Sequence, residues 1–274
     1  MLKRAIRDWS YTVICPLLCR LEECAGLASS ALATVRARTL FAPLDAGGRA
    51  ETVARRLTQA ITLGLLLDGE RLPPESQLAG QFGVSPVTLR EALAMLRDLG
   101  LVETRRGRAG GSFIRAPDDP QAVQVEAVLR LLSVHELRDI GDHRAAVAGA
   151  AAKLAAQRAL DGDIATLREH AGRLHAARSV SERRRADARI HVEIAAAAQS
   201  PRLTREEMSL WSEVGDLVWL PVADDQVAEV AAEHDRLVDS IARQDPEQAR
   251  QAAERHVQAE TGRLLDLRLR MGTV

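Results

Sequence analysis

Aromatic residues are scarce in this chain, and cysteine is scarcer. Phe, Trp and Tyr make up 3% of its 274 residues, against 46% hydrophobic residues in all. The cores must therefore be aliphatic, and a composition rich in Ala, Leu, Val and Arg favours helix. The three cysteines, Cys15, Cys19 and Cys24, all precede residue 25. An odd count with none in the body argues against a disulfide scaffold and implies a reducing, cytoplasmic setting; their spacing matches no zinc motif. No apolar run approaches the ~20 residues that a bilayer requires. The early stretch Tyr11–Leu18 is broken by Thr12 and Pro16. Arg20, Glu22 and Glu23 follow it at once without an A-x-A site, so it also reads poorly as a signal peptide. No repeat period is present, and no convincing strand pattern occurs after residue 122.

Charge is close to balanced, at a net of −1, but unevenly distributed. Residues 1–48 carry +2, residues 49–115 carry +3 and residues 116–274 carry −6. A basic module joined to an acidic one fits a nucleic-acid reader coupled to a part that does not touch nucleic acid.

Periodicity divides the chain accordingly. Val53, Leu57, Ala60, Ile61 and Gly64/Leu65 have helical spacing over 53–66. After the breaker GERLPPE come Leu78, Ala79 and Phe82, with Gly83 as a helix stop. Ser85 can N-cap the next helix, with Pro86 at its first position and Leu89, Ala92, Leu93 and Leu96 on its inner face. Two short extended runs, 101–105 and 112–115, flank the basic, Gly-rich turn RGRAGG. This order of elements describes a winged helix-turn-helix. The segment APDDPQA (116–122) reads as a linker. Beyond it, helical runs are expected at 122–132, 134–158, 161–178, 181–199, 202–219, 223–243 and 246–271. The fold class is therefore mainly α. A poorly specified extension (1–48) precedes a winged helix-turn-helix (49–115), followed by the linker (116–122) and an all-α bundle (123–272).

Sequence readers present polar side chains from a helix whose other face is packed. The helix from Pro86 shows Pro86, Val87, Arg90 and Arg97 outward. Arg90 lies near its N-terminal half, where such helices meet base edges, and a guanidinium fork matches guanine O6 and N7. Arg105, Arg106 and Arg108 in the turn can reach phosphates or a minor groove.

The helical half holds a second pattern. Asp187 and His191 are four apart on one helix and share a face. His234 and His256 lie on consecutive helices, and an antiparallel pairing can bring both to one depth. One carboxylate and three imidazoles suit a borderline divalent ion such as Zn²⁺, Ni²⁺ or Mn²⁺. From spacing alone, an Asp-x-x-x-His pair and two scattered histidines are more often a hydrogen-bonded pair and satisfied core histidines. His135, His143, His170 and His175 fit no such pattern, and Arg183–Arg185 reads as a solvated helix start.

The segment LPPESQLAGQFGVSPVTLREALAMLRDLGLVETRRGRAGGSFI (72–114) resembles the DNA-binding domain of the GntR family. The matching elements are PPE…LA, FGVS, TLREAL, LGLV and the RGRAGGSF wing. The resemblance implies Arg90 as the central DNA contact, with Ser85, Thr88, Arg105, Gly107 and Gly111 shaping the interface. Ser76 and Pro86 stand where many members carry Arg, so no operator sequence is carried over. Residues 122–270 resemble the FCD effector domain of the FadR branch. That resemblance implies Asp187, His191, His234 and His256 as metal ligands and Arg144 as an anchor in the ligand pocket. Ala148 stands where the family usually has Glu. The fatty-acyl members lack the metal ligands, so a small carboxylate effector is implied here rather than an acyl-CoA. The expected protein is a homodimeric repressor on a palindromic double-stranded operator, away from membranes. The rival expectation is a zinc-dependent hydrolase fused to a DNA-binding-like domain, although no H-E-x-x-H motif is present.

Overall fold

The computed structural model describes residues 49–107, 110–116 and 122–272. The three cysteines, Arg108 and most of the expected linker lie outside the described residues.

The N-terminal portion runs α1 (Arg49–Thr62), α2 (Glu75–Phe82), α3 (Pro86–Asp98), β1 (Val102–Arg105) and β2 (Gly111–Ile114). The strands pair antiparallel, with Val102 opposite Ile114 and Arg105 opposite Gly111. Leu57, Ile61, Leu78, Phe82, Leu89, Leu93, Leu96 and Ile114 are fully buried and form one apolar core, aliphatic except for Phe82. Ser85 caps α3 by accepting the Thr88 N–H at 3.1 Å, ahead of Pro86. One boundary differs from the periodicity. α1 stops at Thr62, not near residue 66, because Gly64 takes a left-handed φ of +66°. The Leu65 and Leu66 N–H groups then both turn back onto the Ala60 carbonyl, at 2.8 and 3.1 Å.

Seven further α-helices follow: α4 (Ala122–Leu131), α5 (Val134–Arg158), α6 (Asp161–Ala176), α7 (Val180–Ala197), α8 (Pro201–Val214), α9 (Val227–Ala242) and α10 (Pro246–Arg270). Their starts are written in the sequence. Ser133 with Glu136, and Ser179 with Glu182, form capping boxes on α5 and α7. Ser200–Pro201 and Asp245–Pro246 open α8 and α10. The expected run 202–219 ends earlier, at Val214, and α9 is preceded by a 3₁₀ turn at Asp224–Gln226. The intervening turns carry Trp219 into the interior, where it is buried.

Helix α5 is the centre of the bundle and packs against α7, α8, α9 and α10. Its buried Ala145, Ala148, Ala151, Ala152, Ala155 and Ala156 let those neighbours approach closely. The approach is tightest at Gly141, where an added Cβ would lie 2.4 Å from Thr261 Cγ2 on α10. Thr261 cannot yield easily, because its hydroxyl donates to the Val257 carbonyl at 2.8 Å. Gly141→Val should therefore cost roughly 1–3 kcal/mol through overpacking. The measurement is the thermal midpoint, which should fall by several degrees for a domain of this size.

Candidate functional site

Helix α7 is buried on every side from Ala186 to Ala197, so polar residues there sit in the interior. Asp187 and His191 are two of them, at 0% and 3% exposure. Helix α9 brings His234 and α10 brings His256 to the same depth, both buried. One ligand atom from each of these four residues lies within 4.8 Å of the other three. The His234 and His256 rings are 4.3 Å apart and those of His191 and His256 are 5.3 Å apart. The expected antiparallel pairing of the last two helices thus brings the imidazoles together.

The outward-facing ring nitrogens are all engaged. His234 Nδ1 lies 2.9 Å from the Val230 carbonyl and His256 Nδ1 lies 2.7 Å from Glu233 Oε2. His191 Nδ1 lies 3.4 Å from Glu207 Oε1. Such partners fix each ring and direct Nε2 inward. Inside the cluster, His234 Nε2 is 2.7 Å from Asp187 Oδ1. The second Asp187 oxygen accepts the Trp219 indole N–H at 2.8 Å. By contrast, His191 Nε2 and His256 Nε2 are buried and, among the described residues, have only loose carboxylate partners, Asp187 Oδ1 at 3.5 Å and Glu260 Oε1 at 3.4 Å. A buried polar atom with only a long, poorly aligned partner is costly, and here two such nitrogens belong to a cluster whose ligand atoms lie within 4.8 Å of one another around Asp187. That donor set fits a divalent cation.

The electrostatics are consistent with this. Burial pushes the Asp187 carboxyl up, but His234 outweighs it and holds it below the ordinary value. Burial likewise opposes ionisation of Glu260, and Arg144 and His256 overcome it, holding the acid well below its usual range. Burial would lower His256, but Glu260 and Glu233 hold it up at about 10. The cluster therefore draws a proton onto a ligand position, where a bound cation would supply the same positive charge.

Arg144, from α5, is also buried, with Nη2 2.9 Å from Glu260 Oε2. Its guanidinium lies 5.0 Å from the ring centre of Trp211, which itself lies 5.0 Å from His191. Its Nε makes no hydrogen bond among the described residues. Glu260 connects the two groups, because its other oxygen is 3.4 Å from His256 Nε2. The sequence reading missed Glu260, Glu207, Glu233, Trp211 and Trp219. Glu260 is four residues after His256, a helical spacing that could have revealed it. Nothing in the spacing marks Trp219, which reaches the site from a turn.

On the other portion, Ser85, Arg90 and Arg97 on α3 are exposed and Thr88 is half-buried. Arg90 Nε donates to the Pro86 carbonyl at 3.2 Å, and Arg97 lies 3.4 Å from the Thr104 hydroxyl. Arg105, Arg106 and Gly107 are exposed at the hairpin turn, and Gly111 opens β2. Arg105 is not simply solvated. It binds Glu103 at 2.6 Å and lies 4.3 Å over the Phe113 ring. Arg71, unmarked by the sequence, supports the turn by donating to the Gly110 carbonyl at 2.6 Å.

One expectation is corrected. Arg183–Arg185 is not a solvated helix start. The Arg183 and Arg184 side chains are each 12% exposed and pair with Asp224 and Asp216, at 2.9 and 2.7 Å. Arg185 packs against Gly64. Ion pairing to the turns around α8 and α9 draws them in.

Residues 49–111 match the model of the bacterial regulatory proteins of the gntR family, and residues 139–259 match the FCD domain. The chain is 42% identical over 227 residues to the HTH-type transcriptional regulator RmpR of Mycobacterium gastri, covering 82% of this chain and 83% of that protein. It is 27% identical to the Glc operon transcriptional activator of Escherichia coli K12, covering 80% of this chain and 90% of that protein. Among solved structures, Escherichia coli McbR/YncC aligns over 81% of this chain and 99% of its own, with a TM-score of 0.49 and 19% identity. Among the described residues, no helix is long and apolar enough to cross a membrane.

Proposed function

The chain belongs to the GntR family of bacterial transcription regulators, in the branch with an FCD effector domain, and on that premise we propose that it is a cytoplasmic, homodimeric repressor whose operator affinity is set at a metal-containing helical site. It is a regulator rather than a hydrolase, as its relatives are named. Residues 49–115 form the reading head and residues 123–272 the effector domain. The double-stranded operator is palindromic, since two heads related by two-fold symmetry read two half-sites. Each head enters the major groove with α3, with Arg90 at base edges. Arg97, Arg105 and Arg106 meet the backbone, Ser85 and Thr88 set the start of α3, and Gly107 and Gly111 shape the wing. Repression needs only two heads and a ligand that changes their affinity, whereas activation also needs a polymerase-contacting surface.

The observation that carries the effector reading is the convergence of four buried ligand atoms, one each from Asp187, His191, His234 and His256, within 4.8 Å of one another. Asp187, His191, His234 and His256 would hold one divalent ion, Zn²⁺ first and Ni²⁺ or Mn²⁺ as alternatives. When bound, the ion supplies a positive charge with coordination positions left for an effector oxygen. Arg144 supplies the second anchor for a small carboxylate. Glu260 already places one carboxylate between Arg144 and His256, at 2.9 and 3.4 Å.

A thermal-shift screen of small hydroxy- and dicarboxylates on the zinc-loaded protein tests this reading. Arg144→Ala should abolish the stabilisation given by the best carboxylate and leave zinc content unchanged, because Arg144 donates nothing to the ion. A variant that loses zinc, or that keeps the full carboxylate shift, contradicts the assignment.

A further inference from the structure

The two turns of α7 that carry Asp187 and His191 also carry Arg185 and Arg189, four residues apart and on a different face of the helix. That second face meets the reading head. α1 ends at Thr62, where the Leu63, Gly64, Leu65 and Leu66 N–H groups close onto the Gln59, Ile61 and Ala60 carbonyls, and the helix presents the negative end of its dipole there. Arg189, itself 8% exposed, donates from Nη2 to the Gly64 carbonyl. Arg185 lies over the same glycine. A Cβ added at Gly64 would stand 2.8 Å from Arg185 Cδ and 3.1 Å from Cγ. Gly64 is therefore required twice, for its φ of +66° and for the space it leaves.

The junction is not packed solid. A cavity of about 100 Å³ lies beside the contact, lined by Thr62 and Leu63 from the head and by Arg184, Arg185, Trp211 and Asp216 from the effector domain. Trp211 forms part of this wall while its ring lies tilted against His191, with centres 5.0 Å apart. Two connections thus leave the cluster toward the head: a rigid helix with cationic side chains on the α1 terminus, and an indole between His191 and the cavity. The cavity allows the contact to shift without unpacking either core.

We propose that Arg189, assisted by Arg185, is the positioning residue that transmits the state of the Asp187–His191–His234–His256 cluster to the reading head by holding the C-terminal end of α1. This rests on the cluster being the effector site. Drawing Asp187 and His191 onto an ion shifts or rotates α7 within the bundle, and Arg189 moves with it because it lies between them. Gly64 and the end of α1 follow, and α1 packs directly on the reading helix α3. Two heads so displaced change their spacing on a palindrome.

The test uses the full-length protein, a DNA fragment that it selects from a random library, and zinc as the only probe. Operator Kd is measured after chelation and after zinc reloading, with zinc content determined by elemental analysis in parallel. The wild type should change Kd at least fivefold with zinc. Arg189→Ala should bind zinc at the wild-type ratio and still bind the operator, but its two Kd values should lie within twofold of each other. Arg189→Lys, which keeps a cationic donor, should restore part of the response. Gly64→Ala approaches the contact from the head and should blunt the response similarly, which keeps the test valid if Arg189→Ala folds poorly. A wild type that responds to zinc alongside Arg189→Ala and Gly64→Ala variants that respond equally overturns the link and leaves the cluster reading intact. A wild type that binds zinc without any change in Kd also overturns the link. A wild type that binds no zinc overturns both.

Discussion

Arg90→Ala should abolish specific operator binding while leaving the fold intact. Arg90 projects into solvent from α3, and its only described hydrogen bond is to the Pro86 carbonyl of its own helix. The core beneath it is built from Leu89, Leu93 and Leu96 and loses nothing when the guanidinium is removed. A bidentate Arg–guanine contact contributes roughly 1–3 kcal/mol per head. Two heads on one operator double that, and roughly 2–6 kcal/mol is about 30-fold to 10⁴-fold in affinity. Loss at a base contact also relaxes sequence preference, whereas loss at a phosphate contact weakens all sequences alike. The check is a titration of operator and scrambled DNA at one salt concentration, with circular dichroism of the variant. Unchanged helicity with operator affinity within twofold of wild type would remove α3 from the role of reader.

His191→Ala should strip the cluster of its ion and lower stability far more than loss of one ring would. The variant deletes an inward nitrogen that lies 3.5 Å from Asp187 and leaves that buried carboxylate among fewer partners. An ion held at a hundredfold excess over its Kd stabilises by about 2.7 kcal/mol, and loss of that term lowers the midpoint by roughly 5–10 °C. Wild type treated with chelator should fall toward the variant, while the variant should not respond to chelator at all. Effector response should be blunted more than basal DNA binding, because α3 lies in the other domain.

The pH dependence has a definite sign. His256 is held up at about 10 against the opposing effect of burial, mainly by Glu260 and Glu233. Its proton must leave before Nε2 can ligate, so zinc affinity should rise with pH by up to about tenfold per unit as this one proton is displaced. Without zinc the linkage runs the other way. A raised histidine pKa adds stability below the ordinary value of 6.5, and that stability is lost as pH rises through about 10. Chelated protein should therefore soften with rising pH over that window, and zinc-loaded protein should not.

The architecture was legible where local chemistry sets it. Ser85–Pro86, Ser200–Pro201 and Asp245–Pro246 mark helix starts by capping alone, and each structural start matches within a residue. Where tertiary geometry governs, the sequence was less informative. α1 stops before its apolar periodicity ends because Gly64 is needed left-handed at the junction. The segment after Val214 leaves the helix and delivers Trp219 to Asp187. In the site, the four inward groups could be placed from helical spacing together with family resemblance. Their supporting partners come from separate helices, such as Glu207 on α8, and only the packed bundle shows them. Arg183–Arg185 was misread for the same reason, since its partners Asp224 and Asp216 are some 40 and 32 positions away in the chain.

A divalent ion held by Asp187, His191, His234 and His256 underlies both the effector response and its coupling to the reading head. Native mass spectrometry of the full-length protein, purified without chelating resin, measures it most directly. The expected result is a dimer carrying one divalent ion per chain, lost on acidification and absent from His191→Ala. A dimer or monomer at the bare polypeptide mass, with no thermal shift on adding chelator, would contradict it.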